Sequence, residues 1–338
     1  MNARTRSTFA ATSAFLACAG GGACGGRTLD AGADRPQGLL PVDERNPIIL
    51  SNDGAYDNWD GEYAIVLASL GKITLAGIIV NSSPTYPTID DNVQGWRAMV
   101  QAARNSGMRN IPDPTTSVDG TPLEEPADGG IGSTESHHTE GGRLIVDTAH
   151  RLSQPLRPIV VATGGRLTEV ADAYLIDPSI ADEVVVVASL GHVAPDGGSA
   201  TVSNPNGDID PWADEIVVRN FRYVQVDAYY AQQNDIPTSM LAALPDSPFR
   251  DWISAKLAQI LPFPAYDACD QNSVIASAFP DFALGVARMS ESSAAPLSAG
   301  STPSLEANDA GNCWVVTQGN NALASARFWQ ALTNPAAY

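Results

Sequence analysis

The chain has 338 residues, with 19 lysines and arginines against 38 aspartates and glutamates, which gives a formal net charge of −19 at pH 7. Its hydrophobic share of 44% is that of a globular protein, so disorder along most of the length is excluded. A chain this acidic repels nucleic-acid phosphates and anionic lipid surfaces, which argues against both as partners and favours neutral small molecules and divalent cations.

Residues 1–45 are predicted to be a leader followed by a tether. Arg4 and Arg6 precede a mostly small, apolar run at 8–19, which is the layout of a secretory leader and is too short to span a bilayer permanently. Residues 20–37 are rich in Gly, Ala and Asp and have almost nothing to bury. We therefore predict an exported protein, periplasmic or extracellular, with one folded domain over residues 46–338.

The cysteines leave two questions open. Cys18 follows Leu16-Ala17 and resembles a bacterial lipobox, so the leader ends either in lipidation at Cys18 or in plain cleavage. A lipid there would be the protein's single link to a membrane. Outside the leader, export makes a disulfide between Cys269 and Cys313 feasible, but two cysteines do not prove that bond.

Short β-rich runs alternate with longer helical patterns along the rest of the chain. We predict strands at residues 47–50, 73–80, 158–162 and 183–188, with a further one within 217–227. Helices are predicted at residues 63–70, 92–105 and 168–175. Continuous Val and Ile runs without polar alternation indicate strands that are covered on both faces. The fold class is therefore α/β, a doubly wound, mostly parallel sheet with helices on both faces.

Such sheets bind ligands at the carboxyl ends of their strands, and the first strand ends in an acidic turn. Asp53, Asp57 and Asp60 fall within eight residues there. Oxygen ligands crowded on a turn suit Ca²⁺, although the spacing is not that of an EF-hand. The alternative is a solvated acidic loop that caps the following helix.

Several segments resemble the inosine-uridine-preferring nucleoside hydrolase family, in the family's own order. Residues 53–58 (DGAYDN) resemble its amino-terminal aspartate signature, and residues 162–168 (ATGGRLT) resemble its Thr-Gly turn. Residues 204–211 (NPNGDIDP) and 269–276 (CDQNSVIA) resemble two later motifs. The matches extend over about residues 47–280.

The resemblance implies a Ca²⁺-dependent enzyme that cleaves the N-glycosidic bond of a nucleoside or related N-riboside with water, releasing base and ribose. Asp53 and Asp270 would be metal carboxylates, and Thr163 would lend its backbone carbonyl. Asp57 would be the general base, and Asn206 would contact a ribose hydroxyl. Members of the family are often dimers or tetramers, so the resemblance also implies a homo-oligomer.

The chain departs from the family pattern around the sugar. Asn58 replaces the second aspartate of the family's Asp-Asp pair, and Asp60 then comes into reach as a substitute ligand. In a rival register Asp60 is itself the general base; we prefer the first register because residues 53–57 fit without a gap. Asn204 stands where the family has a glutamate that contacts the sugar.

The residues that would contact the leaving base match the family pattern less well. Cys269 replaces the histidine that helps to protonate the leaving base in purine-preferring members, and only a thiol outside a disulfide could donate a proton. Trp59 and Trp212 lie next to motif residues and are candidates for stacking on a base, although packing is the commoner fate of a tryptophan.

These departures from the family pattern leave two other functions open. One is a non-catalytic, metal-dependent sugar- or nucleoside-binding protein, and the other is a hydrolase of a different glycosidic bond. Asn58, Asn204 and Cys269 are the residues that favour them.

Overall fold

A mostly parallel β-sheet with helices on both faces organises the chain. The computed structural model describes residues 38–55, 59–117, 120–189, 206–226, 236–260, 265–266, 270–291 and 304–338. The strands in chain order are β1 (Pro47–Asn52), β2 (Thr74–Val80), β3 (Pro114–Thr116), β4 (Ile159–Thr163), β5 (Val184–Ala188), β6 (Arg222–Gln225), β7 (Ile236–Pro237), β8 (Ala265–Tyr266), β9 (Ala283–Glu291), β10 (Leu305–Ala307) and β11 (Cys313–Gly319). The α-helices are α1 (Asp60–Ser69), α2 (Ile89–Asn105), α3 (Glu140–Leu152), α4 (Thr168–Ile176), α5 (Pro211–Asn220), α6 (Pro248–Ile260), α7 (Gln271–Ala278) and α8 (Asn321–Leu332).

Within the described residues, nine strands form one sheet in the order β10-β9-β11-β6-β5-β4-β1-β2-β3. Neighbours from β3 to β11 pair in parallel, whereas β9 pairs antiparallel with β10 and with β11. β7 and β8 make a separate antiparallel pair. This architecture confirms the predicted fold class.

The apolar strands are buried on both faces because alternate side chains enter two separate cores. Leu50 of β1 pairs with Ile78 of β2 and Ala162 of β4, and all three belong to the core formed with α1, α2, α7 and α8. Ile49, the preceding residue, belongs to the core on the other face, formed with α3, α4 and α5. Residues that the sequence shows as an unbroken apolar run are thus divided between two layers of helices.

The predicted strands at 47–50, 73–80, 158–162 and 183–188 are confirmed as β1, β2, β4 and β5, and the predicted helices as α1, α2 and α4. The further strand predicted within 217–227 is confirmed as β6, and the first part of that segment is the end of α5. Asp210 accepts a hydrogen bond from the Ala213 backbone N–H, and Pro211 begins the helix. These helix-start signals lie upstream of the apolar run that predicted a strand.

The packed core begins before residue 46, where the tether was expected to end. Leu40 is 2% exposed and Val42 is fully buried, and both belong to the α1-side core. Leu40 and Val42 belong to the short apolar run 39–42 (LLPV), which is too short to distinguish a packed segment from a tether. In the part of the chain that the structure describes, no helix is both long and apolar enough to cross a bilayer.

Candidate active site

Buried polar side chains concentrate at the sheet edge where the parallel strands end. β1 is followed by Asp53, β2 by Asn81 and β4 by Gly164, and parallel pairing brings the three positions side by side. Asp53 is 5% exposed and Asn81 is fully buried. Burying polar groups costs free energy unless they are paired, so such a concentration at the carboxyl ends of strands marks a candidate binding or catalytic site.

Two buried aspartates meet at the end of β1. Asn52 donates a side-chain hydrogen bond of 2.8 Å to Asp60 Oδ2, and its own Oδ1 accepts the backbone N–H of Asp53. Burial, together with a smaller contribution from the charge of Asp53, raises the pKa of the Asp60 carboxyl to about 7. Burial also raises the pKa of Asp53. Each carboxylate therefore opposes ionisation of the other, a condition that a bound cation would relieve.

Asp270, which is far away along the chain, lies at the tip of β4. Its Oδ2 is 2.8 Å from the position that a β-carbon at residue 164 would take, and the side chain is 2% exposed. The Gly164 N–H in turn donates to the Ser51 carbonyl on β1. A glycine at position 164 therefore lets the Asp270 carboxyl approach the centre of the sheet edge.

The Thr163 carbonyl and the Asn206 side chain both lie at the turn that follows β4. The Thr163 carbonyl accepts the Ser189 backbone N–H at 2.9 Å, and one of its lone pairs is then left for another partner. Asn206 donates its side-chain N–H to the Gly164 carbonyl at 2.6 Å. The structure thus brings together Asp270, Thr163 and Asn206, whose roles stay predictions.

A second polar group, to which the sequence motifs assign no role, lies beneath this edge. Glu169, in the first turn of α4, is fully buried and accepts hydrogen bonds from the Ser51 hydroxyl and, at 2.9 Å, from the Asn81 amide. Burial raises its pKa, while these hydrogen bonds and the charge of Arg166 lower it. Arg166 is only 2% exposed and also lowers the pKa of Asp53. A carboxylate in the first turn of the helix that follows a predicted central strand was the signal that could have identified Glu169.

The two tryptophans are packed in the protein. Trp59 is 2% exposed, and its ring lies edge-on to Phe328 at a centroid distance of 5.9 Å. Trp212 is buried and donates its indole N–H to the Thr134 hydroxyl at 3.0 Å. The structure therefore shows both indole rings in packed positions, which is the commoner outcome for a tryptophan.

Four predicted site residues lie outside the described residues: Asp57, Asn58, Asn204 and Cys269. Their predicted roles stay predictions.

Cys313 is a free, buried thiol rather than half of a disulfide. Its Sγ lies 3.9 Å from the Val218 carbonyl oxygen.

The donor types at this edge suit a hard cation, because carboxylate, amide and carbonyl oxygens are the ligands of Ca²⁺. The side-chain oxygens of Asn81 and Ser82 are buried and have no hydrogen-bond partner among the described residues, so a bound group could satisfy them. The chemistry therefore fits a cation. The geometry is incomplete, since in the described ranges no three His, Cys, Asp or Glu side chains are spaced to hold an ion.

A cavity of about 880 Å³ lies at the carboxyl end of β3. Its lining includes Ser117, Glu124, Glu135 and His137. The Ser117 backbone N–H donates to the Val80 carbonyl at the end of β2, so the cavity begins beside the strand that Asn81 follows. It has room for a molecule of nucleoside size.

Three solved structures resemble this chain over most of its length. A purine-preferring ribonucleoside hydrolase from Gardnerella vaginalis is 16% identical with a TM-score of 0.62, covering 86% of this chain and 99% of its own. An inosine-guanosine nucleoside hydrolase is 12% identical with a TM-score of 0.61, covering 84% and 98%. An inosine-uridine-preferring nucleoside hydrolase from Bacillus anthracis is 15% identical with a TM-score of 0.59, covering 86% and 99%.

No family model matches the sequence, and a comparison with curated proteins finds no match either. The similarity is therefore one of three-dimensional structure. It confirms, at the level of the fold, the resemblance identified in the sequence: the chain has the α/β fold of the nucleoside hydrolases.

Proposed function

We propose that this protein is an N-glycosyl hydrolase that cleaves a nucleoside or related N-riboside with water, and that it uses Ca²⁺. The observation that carries the proposal is the meeting of Asp270 with the tip of β4, one strand away from Asp53 and Asp60. Acidic side chains far apart in the sequence reach one buried edge, on a fold whose solved examples include hydrolases of nucleosides.

The residues divide into groups that bind the cation and groups that act on the substrate. Asp53, Asp270 and the Thr163 carbonyl would hold Ca²⁺, with Asn58 and Asp60 as further oxygen donors. When bound, the cation lowers the pKa of a water molecule and orients the ribose hydroxyls.

Asp57 would take the proton from the attacking water. Asp60 is the alternative general base, and its pKa of about 7 is suited to accepting a proton near neutral pH. The buried carboxylates favour the positive charge that develops on the sugar in an oxocarbenium-like transition state. Asn206 and Asn204 would contact ribose hydroxyls, and Cys269 would lie on the side of the leaving base.

The test is ribose release from a panel of purine and pyrimidine nucleosides, with added Ca²⁺ and with a chelator. We expect release that stops on chelation and that returns when Ca²⁺ is restored. Asp53→Asn should abolish both release and Ca²⁺ binding and should leave the fold intact. Asp309→Asn, which changes an exposed carboxylate between β10 and β11, is the matched control.

Failure to release ribose from any nucleoside, by a folded protein that binds Ca²⁺, would contradict the proposal. Nucleoside binding without turnover would instead support the binding-protein alternative. Turnover of a riboside other than a nucleoside would support a hydrolase of another glycosidic bond.

We also propose that the protein is exported and forms a homo-oligomer. Mass spectrometry of the mature amino terminus would distinguish cleavage from a lipid on Cys18, and an intact Met1 would contradict export. Light scattering during size-exclusion chromatography would measure the oligomeric state, and a monomeric mass would contradict that part of the proposal.

A further inference from the structure

Asp172 is a fully buried carboxylate on α4 that the proposed chemistry does not use. Its Oδ1 accepts the Ser136 hydroxyl at 2.6 Å and the backbone N–H groups of His137 and His138 at 2.8 and 3.1 Å. Its Oδ2 accepts the Thr139 backbone N–H at 2.8 Å and the Thr139 hydroxyl at 2.7 Å. Five donors from four consecutive residues therefore meet at one carboxylate.

These four residues, 136–139, are the wall segment, and their backbone path depends on contacts with the rest of the protein. His138 has a φ of 51°, in the left-handed region that residues other than glycine seldom adopt. Such a conformation persists where the surrounding structure fixes it. Gly142 in α3 allows the carboxylate to come close, because a β-carbon there would be 2.8 Å from Asp172 Oδ2. Asp172 thus holds the wall segment at the start of α3.

The wall segment borders the cavity of about 880 Å³ beside the candidate active site. It contributes Ser136, His137 and Thr139 to the lining. The loop on the other side of the cavity approaches the sheet edge, since a β-carbon at Gly120 would be 3.1 Å from Ser82 Oγ. A ligand at the sheet edge can therefore extend into the cavity and contact the wall segment.

Two further contacts fix the loop that precedes the wall segment. Asp210, at the start of α5, accepts the Leu123 backbone N–H at 3.0 Å. Trp212 donates its indole N–H to the Thr134 hydroxyl at 3.0 Å. Leu123 is itself 5% exposed and belongs to the core on the side of α3, α4 and α5. All the contacts that hold this side of the cavity are thus made within the protein.

We propose that Asp172 is a positioning residue that keeps the wall segment in place as a preformed wall of the cavity, and that ligand affinity depends on this wall. The proposal rests on the proposed function in one respect, namely that part of the nucleoside occupies the cavity. If the wall is loose, only a fraction of the molecules is competent to bind, and the apparent Kd rises by the inverse of that fraction. Asp172 therefore acts on binding and not on bond cleavage.

The first experiment is hydrogen–deuterium exchange without ligand, on the unmodified protein and on Asp172→Asn. Asparagine keeps the size of the side chain but replaces one acceptor oxygen by an N–H donor, so part of the wall segment then faces a donor. We expect the backbone amides of residues 137–139 to be protected in the unmodified protein and to exchange about tenfold faster in the variant. Equal exchange in the two proteins, or no protection in the unmodified one, would overturn the proposal.

The second experiment measures kcat and KM for inosine as the probe. In Asp172→Asn we expect KM to rise about tenfold and kcat to stay within about twofold, because a loose wall reduces the competent fraction and not the rate of the bound complex. An unchanged KM, or a fall in kcat alone, would overturn the proposal.

Failure of the proposed function is distinguishable from failure of this one. If inosine binds without turnover, calorimetry replaces kinetics, and the Kd for inosine should rise by the same factor in Asp172→Asn. If inosine neither binds nor reacts, the proposed function fails, and the exchange measurement alone decides whether Asp172 holds the wall.

Asp177→Asn is the matched control. Asp177 lies at the other end of α4 and outside the lining of the cavity, where its carboxylate accepts the Ser179 backbone N–H at 2.9 Å and contacts His150. This variant should leave both the exchange of residues 137–139 and the KM unchanged. Should Asp172→Asn fail to fold, Ser136→Ala removes a single hydroxyl donor and should speed the exchange about threefold. Unchanged exchange in Ser136→Ala would then overturn the proposal.

Discussion

The Asp270 side chain lies directly against the α-carbon of Gly164, so that a β-carbon at residue 164 would be 2.8 Å from Asp270 Oδ2 and closer still to the Asp270 β-carbon. Position 164 therefore requires glycine because the Asp270 side chain comes so close to it, and not because its backbone φ angle is positive. The contact joins the tip of β4 to the start of α7, and it fixes how far the Asp270 carboxyl extends over the sheet edge.

Gly164→Ala is predicted to displace Asp270 and to damage the site. The added methyl group overlaps the Asp270 side chain, so we expect a loss of about 1–3 kcal/mol in unfolding free energy. Ribose release should fall by roughly a hundredfold, because a displacement of about 1 Å at a catalytic site has that effect. Denaturant unfolding and the release assay measure the two losses.

Gly132→Ala is the control for that variant, since the space around the α-carbon of Gly132 is open. Its stability should stay within about 0.5 kcal/mol of the original. A Gly164→Ala protein with unchanged release would show that the position of Asp270 does not matter for the reaction.

Asn206→Ala is predicted to weaken substrate binding more than stability. The variant loses the hydrogen bond to the Gly164 carbonyl, which should cost about 1 kcal/mol. If the amide also binds ribose, KM should rise about tenfold. Asn220→Ala removes a similar amide-to-carbonyl hydrogen bond within α5 and should leave KM unchanged. Equal KM values for the two variants would exclude Asn206 from the ribose pocket.

Substitution of Trp59 distinguishes packing from base recognition. Trp59→Ala should cost about 3–5 kcal/mol, because it opens a cavity beside Phe328 in the core. Trp59→Phe keeps a ring in that space and should retain the same ranking of nucleosides by kcat/KM. A changed ranking in a stable Trp59→Phe protein would show that the indole contacts the base after all.

Glu215 is predicted to make stability depend on pH. Its carboxyl is 1% exposed on α5, next to Arg219 and Glu291, with the charge of Glu125 acting from a distance. Burial, and then the hydrogen bond with Glu291, raise its pKa to about 8 from an ordinary value of 4.5. Because the folded state holds this proton more tightly than the unfolded state, the contribution of Glu215 to stability is complete below pH 4.5 and is lost as pH rises through about 8.

Glu215→Gln should therefore flatten the fall in stability between those two pH values. Tm measured across that range compares the variant with the original protein. Glu306→Gln, an exposed change on β10, should reproduce the original pH profile. An identical profile for Glu215→Gln would contradict the assignment of the proton to Glu215.

The elements that the sequence predicted well are the ones that short-range patterns define. β4 and β5 are unbroken apolar runs that are buried throughout, so composition alone identifies them as central strands. The strand within 217–227 was predicted without exact bounds, because Val217 and Val218 are as apolar in a buried helix as in a strand. β9 and β11 pair antiparallel beyond the parallel strands, and their partially buried patterns gave no comparable signal.

The candidate site was partly predictable for the same reason. Asp53 and Asp60 lie on one turn, where crowding of carboxylates is visible in the sequence. Glu169 and Arg166 were given no site role because charged residues at the start of a helix are mostly solvent-exposed. Nothing short of the folded sheet indicates that both lie beneath the end of β1.

The sequence by itself determined the α/β class, the acidic turn after β1 and the order of the motifs, since each depends on residues close together in the chain. The tertiary structure decided which of those residues meet. Parallel pairing of β1 with β4 places Gly164 beside Ser51, and the packing of α7 brings Asp270 onto Gly164. Each of these contacts joins residues that are about a third of the chain apart. Their free energy depends on burial in the folded protein, which no local sequence pattern records.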